Sequence, residues 1–113
     1  MATSTLPLNT FRTQAYQLTT TPQIIYTAPT GYTAIVLGAQ AGNYGVADAN
    51  VTFVLTKNAV SYTLLNAFTV PSNDAASVVT GKLVIETGAY VTAYSSANST
   101  INLVLSLLET SNV

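Results

Sequence analysis

Residues 101–108 read Ile-Asn-Leu-Val-Leu-Ser-Leu-Leu, with Ile101, Leu103, Leu105 and Leu107 at every second position. A period of two sends side chains to alternate faces of an extended chain, so these four share one face of a strand. Val51, Phe53 and Leu55 alternate in the same way with Thr52, Val54 and Thr56. No window shows a convincing apolar stripe at helical spacing. Gly and Pro recur often enough to interrupt helices. Thr, Val, Ile, Tyr and Phe, which favour a pleated surface, are abundant.

Turn residues divide the chain at intervals of roughly ten residues. Strands are expected over 12–18, 23–28, 32–41, 50–57, 60–70, 75–80, 82–86, 90–95 and 100–110. Pro29-Thr30-Gly31 and Pro71-Ser72-Asn73-Asp74 are proline-led turns. Gly42 to Asp48 forms the longest clear loop. The expectation is an all-β fold, an antiparallel β-sandwich of about eight strands. Jelly-roll and Ig-like topologies both fit. Residues 1–11 are polar, contain Pro7 and read as an extended N-terminal arm. Residues 12–113 form the single sandwich domain, since 113 residues do not supply a second core.

The last strand carries a second message. Val104 and Leu108 fall on its other face, with Asn102 and Ser106. A two-sheet sandwich exposes one face of each sheet. Apolar residues there call for a cover: an arm, a neighbouring subunit, a larger assembly, or, if the strand is simply central, a loop of the same chain.

Composition limits the chemistry. Only 6% of residues are charged, against about 25% in a typical soluble protein. They are Arg12, Asp48, Lys57, Asp74, Lys82, Glu86 and Glu109. Neutral polar residues take their place, including nineteen threonines. There is no His and no Cys. Ser/His/Asp and Cys/His nucleophiles therefore cannot be built from one chain. Thiolate and imidazole metal sites are excluded too. The four carboxylates are scattered singly, unlike those of a paired-carboxylate hydrolase or a calcium loop. An enzyme is argued against; no catalytic residue, metal or cofactor is expected. A net charge of −1 with three scattered cations is unsuited to a run of phosphates, so no nucleic-acid partner is expected. The longest apolar run is four residues, far short of the ~20 of a membrane helix. Eight tilted strands of a membrane barrel would need more chain than this. Residues 1–5 carry no basic segment followed by an apolar one, so no signal peptide is expected.

Three segments in order carry a resemblance. Ile25-Tyr26-Thr27-Ala28-Pro29-Thr30-Gly31-Tyr32-Thr33-Ala34-Ile35-Val36-Leu37-Gly38 opens it. Gly81-Lys82-Leu83-Val84-Ile85-Glu86-Thr87-Gly88 follows a mid-chain proline-led turn. Val104-Leu105-Ser106-Leu107-Leu108-Glu109 closes it. This set resembles small virion proteins of tailed bacteriophages, cyanophages among them, across residues 22–110. It departs from them at Ala89, where the related pattern often has an acidic residue after the glycine.

The resemblance implies a non-enzymatic structural subunit of a phage particle. The first expectation is a head decoration (cement) protein at the capsid surface. It would dock on the major capsid protein as a homo-oligomer, with a trimer favoured. The alternatives are a receptor- or glycan-binding module of a tail fibre, with tyrosines clustered at one loop end, and a neck or tail subunit. Candidate partner-binding residues are Leu6, Leu8 and Phe11 in the arm, Tyr44 in the Gly-rich loop, and Val104 and Leu108 on the last strand.

Overall fold

The computed structural model describes residues 9–79 and 81–111. Leu6 and Leu8 lie outside the described residues. Nine strands follow one another: β1 (Asn9–Gln17), β2 (Gln23–Thr27), β3 (Tyr32–Asn43), β4 (Ala49–Lys57), β5 (Val60–Val70), β6 (Asp74–Ser77), β7 (Leu83–Ile85), β8 (Tyr90–Ser95) and β9 (Ile101–Ser111). No helix occurs among the described residues, so none there is long and apolar enough to cross a membrane.

The strands make two antiparallel sheets. The first has the order β1-β9-β3-β6, with β7 also paired to β3. The second has the order β2-β8-β4-β5. With β6 and β7 taken as two pieces of one edge position, this is the eight-position arrangement of a jelly roll. An Ig-like order would place the first two strands side by side in one sheet, whereas β1 and β2 lie in different sheets. The structure therefore decides between the two topologies left open by the sequence.

Period-two patterning sets the core. Leu103, Leu105 and Leu107 of β9 face inward beside Ala34, Val36, Ala39 and Ala41 of β3. Val51 and Phe53 of β4 and Val91 and Ala93 of β8 close on them from the second sheet. Phe53 is the largest fully buried side chain, and its small neighbour Ala93 leaves room for the ring.

Turn chemistry follows the residues. Asn58 and Ala59 both have positive φ (53° and 63°), the two-residue geometry that joins twisted hairpin strands. Gly31, at φ 85°, lets Tyr32 N–H reach Pro29 O at 3.0 Å. At Gly45 the need is space: an added Cβ would lie 2.9 Å from the Thr100 side chain.

Asn43 anchors the β3–β4 loop from a buried position. Its Nδ2 donates to Ala47 O (3.0 Å) and Val70 O (2.9 Å), and its Oδ1 accepts Gly45 N–H (2.9 Å). Asn43→Ala leaves these groups without a partner and is expected to cost about 1.5 kcal/mol. Urea unfolding monitored by circular dichroism measures it; an unchanged midpoint overturns the assignment.

Several expected boundaries shift: β3 runs on to Asn43, two residues into the expected Gly42–Asp48 loop, and β6 ends at Ser77. β1 begins at Asn9, and Asn9, Thr10 and Phe11 pair with Thr110, Glu109 and Leu108. Phe11, expected in the arm, is thus part of the first sheet. The alternating partner β9 extends far enough to pair with these residues, whereas Asn9-Thr10-Phe11 is too short to give a strand signal by itself.

Candidate functional site

Residues opposite one another in an antiparallel pair project to the same face. The registers therefore define rows across the outward face of the first sheet. One row runs Phe11, Leu108, Ile35, Val84 through β1, β9, β3 and β7. The next apolar position on β9 joins Ala15, Val104 and Gln40. Phe11 is 76% exposed, Val84 53% and Val104 38%. Leu37, at the register shift between Val36 and Gly38, adds an exposed side chain at 40%. Leu108 and Ile35 are half-buried in the middle of the row.

This face has no ionisable residue at the outward positions of β1, β9 and β3. Thr13, Ser106 and Gly38 separate the two apolar rows, and Gln17, Asn102 and Gly42 complete the far end. The structure places Phe11 of the expected arm on the same face as Val104 and Leu108 of the last strand. Ile35, Leu37 and Val84 were missed. The apolar run 34–37 hid which of its members face outward, because a bulge breaks its alternation.

The outward face of the second sheet is different. Thr52 opposes Tyr94, Thr56 opposes Tyr90, and Val54 opposes Thr92. On the other side of β4 the partners are Ser61, Thr63 and Thr69. Hydroxyls dominate this face, and several are satisfied within the chain: Thr52 Oγ1 accepts Ala67 N–H, Thr56 pairs with Ser61, and Thr69 donates to Asn50 Oδ1.

A second apolar area lies on the free edge at β5. Val60, Tyr62, Leu64 and Phe68 are all exposed. Beside them a cleft of about 290 Å³ is lined by Leu64, Leu65, Val79 and Leu83, with Ser77, Val78 and Lys82. No charged residue occurs in β5. Charges and prolines are the usual protection of an edge strand, and β5 has neither.

At the opposite edge, β1 and β2 flank a groove of about 360 Å³. Glu109 lies on its floor, the only buried charged side chain among the described residues. Arg12 Nε donates to Glu109 Oε1 at 2.8 Å, and the Tyr26 hydroxyl donates to Oε2. Burial, reinforced by the neighbouring carboxylate, pushes the Tyr26 phenol well above its ordinary value of 10.0. Continued alternation from Leu107 would have placed Glu109 inward, but its charge argues against a core position.

A testable consequence follows at alkaline pH. Above about pH 10 a tyrosine in the unfolded chain loses its proton while Tyr26 in the fold keeps it. The folded state then holds more protons, so its stability falls as pH rises. Tyr26→Phe is expected to cost about 1 kcal/mol at pH 8 and to flatten the decline between pH 9 and 11. Equal slopes for the two proteins in pH-dependent urea unfolding overturn the linkage.

Tyr44 stands 53% exposed on the β3–β4 loop. Its hydroxyl accepts from Gln17 Nε2 (2.5 Å) and donates to Ser99 O (2.6 Å), so its polar tip ties loops of this chain together. The seven tyrosines are not gathered at one loop end. Tyr26 is buried, Tyr62 lies on the β5 edge, and Tyr90 and Tyr94 lie on the second sheet. No cluster of three or more potential metal-binding side chains forms among the described residues.

No family model and no curated relative matches the sequence. Solved structures do match in fold. A protein from Bacillus endospore appendages, described as disulfide-linked pili, aligns at 16% identity with a TM-score of 0.57, covering 98% of each chain. A protein of the acid-stable capsid of a Helicobacter pylori bacteriophage aligns at 12% identity with a TM-score of 0.57. That alignment covers 92% of this chain and 88% of the capsid chain. Both likenesses establish the sandwich fold.

Proposed function

We propose that this chain is a structural subunit of a virion, and more narrowly a capsid decoration protein. It docks on the assembled major capsid lattice and stabilises the head by non-covalent bridging at the capsid surface. The observation that carries this is the presence of two separate apolar areas, on the outward face of the first sheet and on the β5 edge. A bridge needs at least two contact surfaces, and these lie on different sides of one rigid frame. The fold shared with a phage capsid protein supports the same reading.

Binding only the assembled shell shifts the equilibrium towards that shell by mass action. Buried apolar area supplies the attraction, with little steering by charge. Phe11, Val104 and Leu108 are the proposed partner contacts on the first sheet. Tyr44, and Leu6 and Leu8 outside the described residues, join them from the sequence. Val60, Tyr62, Leu64 and Phe68 are added by their exposure on the β5 edge. The protein acts as a homo-oligomer, for which the sequence expectation is a trimer.

Purified protein mixed with undecorated phage capsids is expected to co-sediment with them and to raise their melting temperature. Absence of both effects sinks the proposal. A second reading, a subunit of a filament, is favoured by the likeness to the pilus protein over the full length of both chains. It would assemble without disulfides, since this chain has no cysteine. Electron microscopy of the isolated protein separates the two: filaments support the second reading, and shell-dependent binding supports the first.

A further inference from the structure

We infer that the outward face of the first sheet is closed by the same face of a second copy of this chain, around a twofold axis. Four observations lead there. Among the described residues nothing covers the row of Phe11, Leu108, Ile35 and Val84, nor Leu37 and Val104 beside it. Leaving this much apolar surface in water is unfavourable, and the hydroxyl-bearing face of the second sheet has no such need.

Charge then selects the partner. With no ionisable residue at the outward positions of β1, β9 and β3, that part of the face meets no repulsion from its own copy and burying it desolvates no ion; the exposed charges Lys82 and Glu86 flank Val84 at the β7 margin. Proteins matched by charge would require the opposite feature, a patch of one sign. Size also fits. Strands of nine to twelve residues at about 3.4 Å each, spaced about 4.8 Å apart, give roughly 600 Å² per copy. Two such faces total about 1,200 Å², the lower bound of a specific interface.

The surface is also open enough for two sheets to stack about 10 Å apart. An added Cβ at Gly38 or Gly42 would meet nothing within 4 Å, so both positions have room for a side chain. The contact is isologous, so it closes pairs of chains in place of the trimer expected from sequence. It rests on the homo-oligomeric part of the proposed function and gives the first-sheet face to the second copy, so that shell docking falls to the two β5 edges of the pair; failure to bind capsids would leave it standing.

The test is the solution mass of the full chain by analytical ultracentrifugation, without capsids. The unsubstituted protein is expected at the mass of two chains. Gly38→Lys has room within its own chain and places like charges in the contact. It is expected to weaken association by about 100-fold or more and give the mass of one chain. Val104→Lys is the second variant, read in the same way should Gly38→Lys unfold. Mixing Gly38→Lys with Gly38→Glu is expected to restore the two-chain mass. Thr92→Lys, on the outward face of the second sheet, is expected to leave it unchanged. A one-chain mass for the unsubstituted protein overturns the inference and leaves the face to the shell protein or the N-terminal residues. A three-chain mass overturns it as well. So does a two-chain mass that Thr92→Lys abolishes and that folded Gly38→Lys and Val104→Lys both retain.

Discussion

Leu105→Ala is expected to lower the free energy of unfolding by about 3 kcal/mol, whereas Val104→Ala, one position earlier, changes it by less than about 1 kcal/mol. Both lie on β9, the strand held between β1 and β3. Leu105 is fully buried and faces the second sheet; Val104 faces away from it. Truncating Leu105 removes apolar transfer energy and leaves a cavity that flanking β-strands are too constrained to fill. Its cross-strand neighbour is Ala39, which has no spare side chain to move into the space. For a domain of this size the loss corresponds to a fall in melting temperature of roughly 12 °C. Thermal unfolding at concentrations where the chain is monomeric measures both variants. Similar losses at the two positions would overturn the assignment of faces.

Glu109→Ala is expected to cost about 2.5 kcal/mol at pH 7. The substitution removes the acceptor of the Tyr26 hydroxyl, which then lies in a buried position without its partner. Arg12 loses its ion pair too, but its side chain is 55% exposed, so water replaces much of what it loses. The Glu109–Tyr26 bond joins the first sheet to the second, and the damage therefore falls on the packing between them. Glu109→Gln retains an acceptor of similar shape and is expected to lose less than half as much. The double variant Glu109→Ala with Tyr26→Phe is expected to recover part of the loss, because the stranded hydroxyl is gone. Additive costs in urea unfolding would show that the two side chains act independently.

These two positions illustrate how much could be read from the sequence. Leu105 was legible, because its burial follows from local alternation in a strand whose apolar face is unmistakable. Glu109 was not, because its partners are 83 and 97 residues away in the chain. Val104 and Leu108 were legible as residues in need of a cover. That they align with Phe11, Ile35 and Val84 was not, since rows across a sheet depend on which strands pair and in which register. The bulge at Leu37 adds a further reason: one extra residue changes the facing of all that follows, and no local residue pattern announced it.

The expected arm illustrates the converse. Asn9 to Phe11 lack the alternation of a strand but form part of β1 because β9 offers them a ladder of backbone partners. Tyr44, chosen for exposure in a Gly-rich loop, is exposed in its ring and engaged at its hydroxyl. Position along the chain indicated the first property and could not indicate the second.

By itself the sequence determined that the chain is built of strands, where most of them lie, and which side of β4 and β9 is core. These are consequences of side-chain alternation and turn residues, which act over a few neighbouring positions. It also excluded thiol and imidazole chemistry, by the absence of the atoms required. Only the tertiary structure decided the order of the strands, the jelly-roll topology, the uncharged apolar row and the buried Glu109. The physical reason is that backbone hydrogen bonds between strands are alike for nearly all residues. The same alternating segments can satisfy several pairings, and the choice among them is made by packing of the whole core.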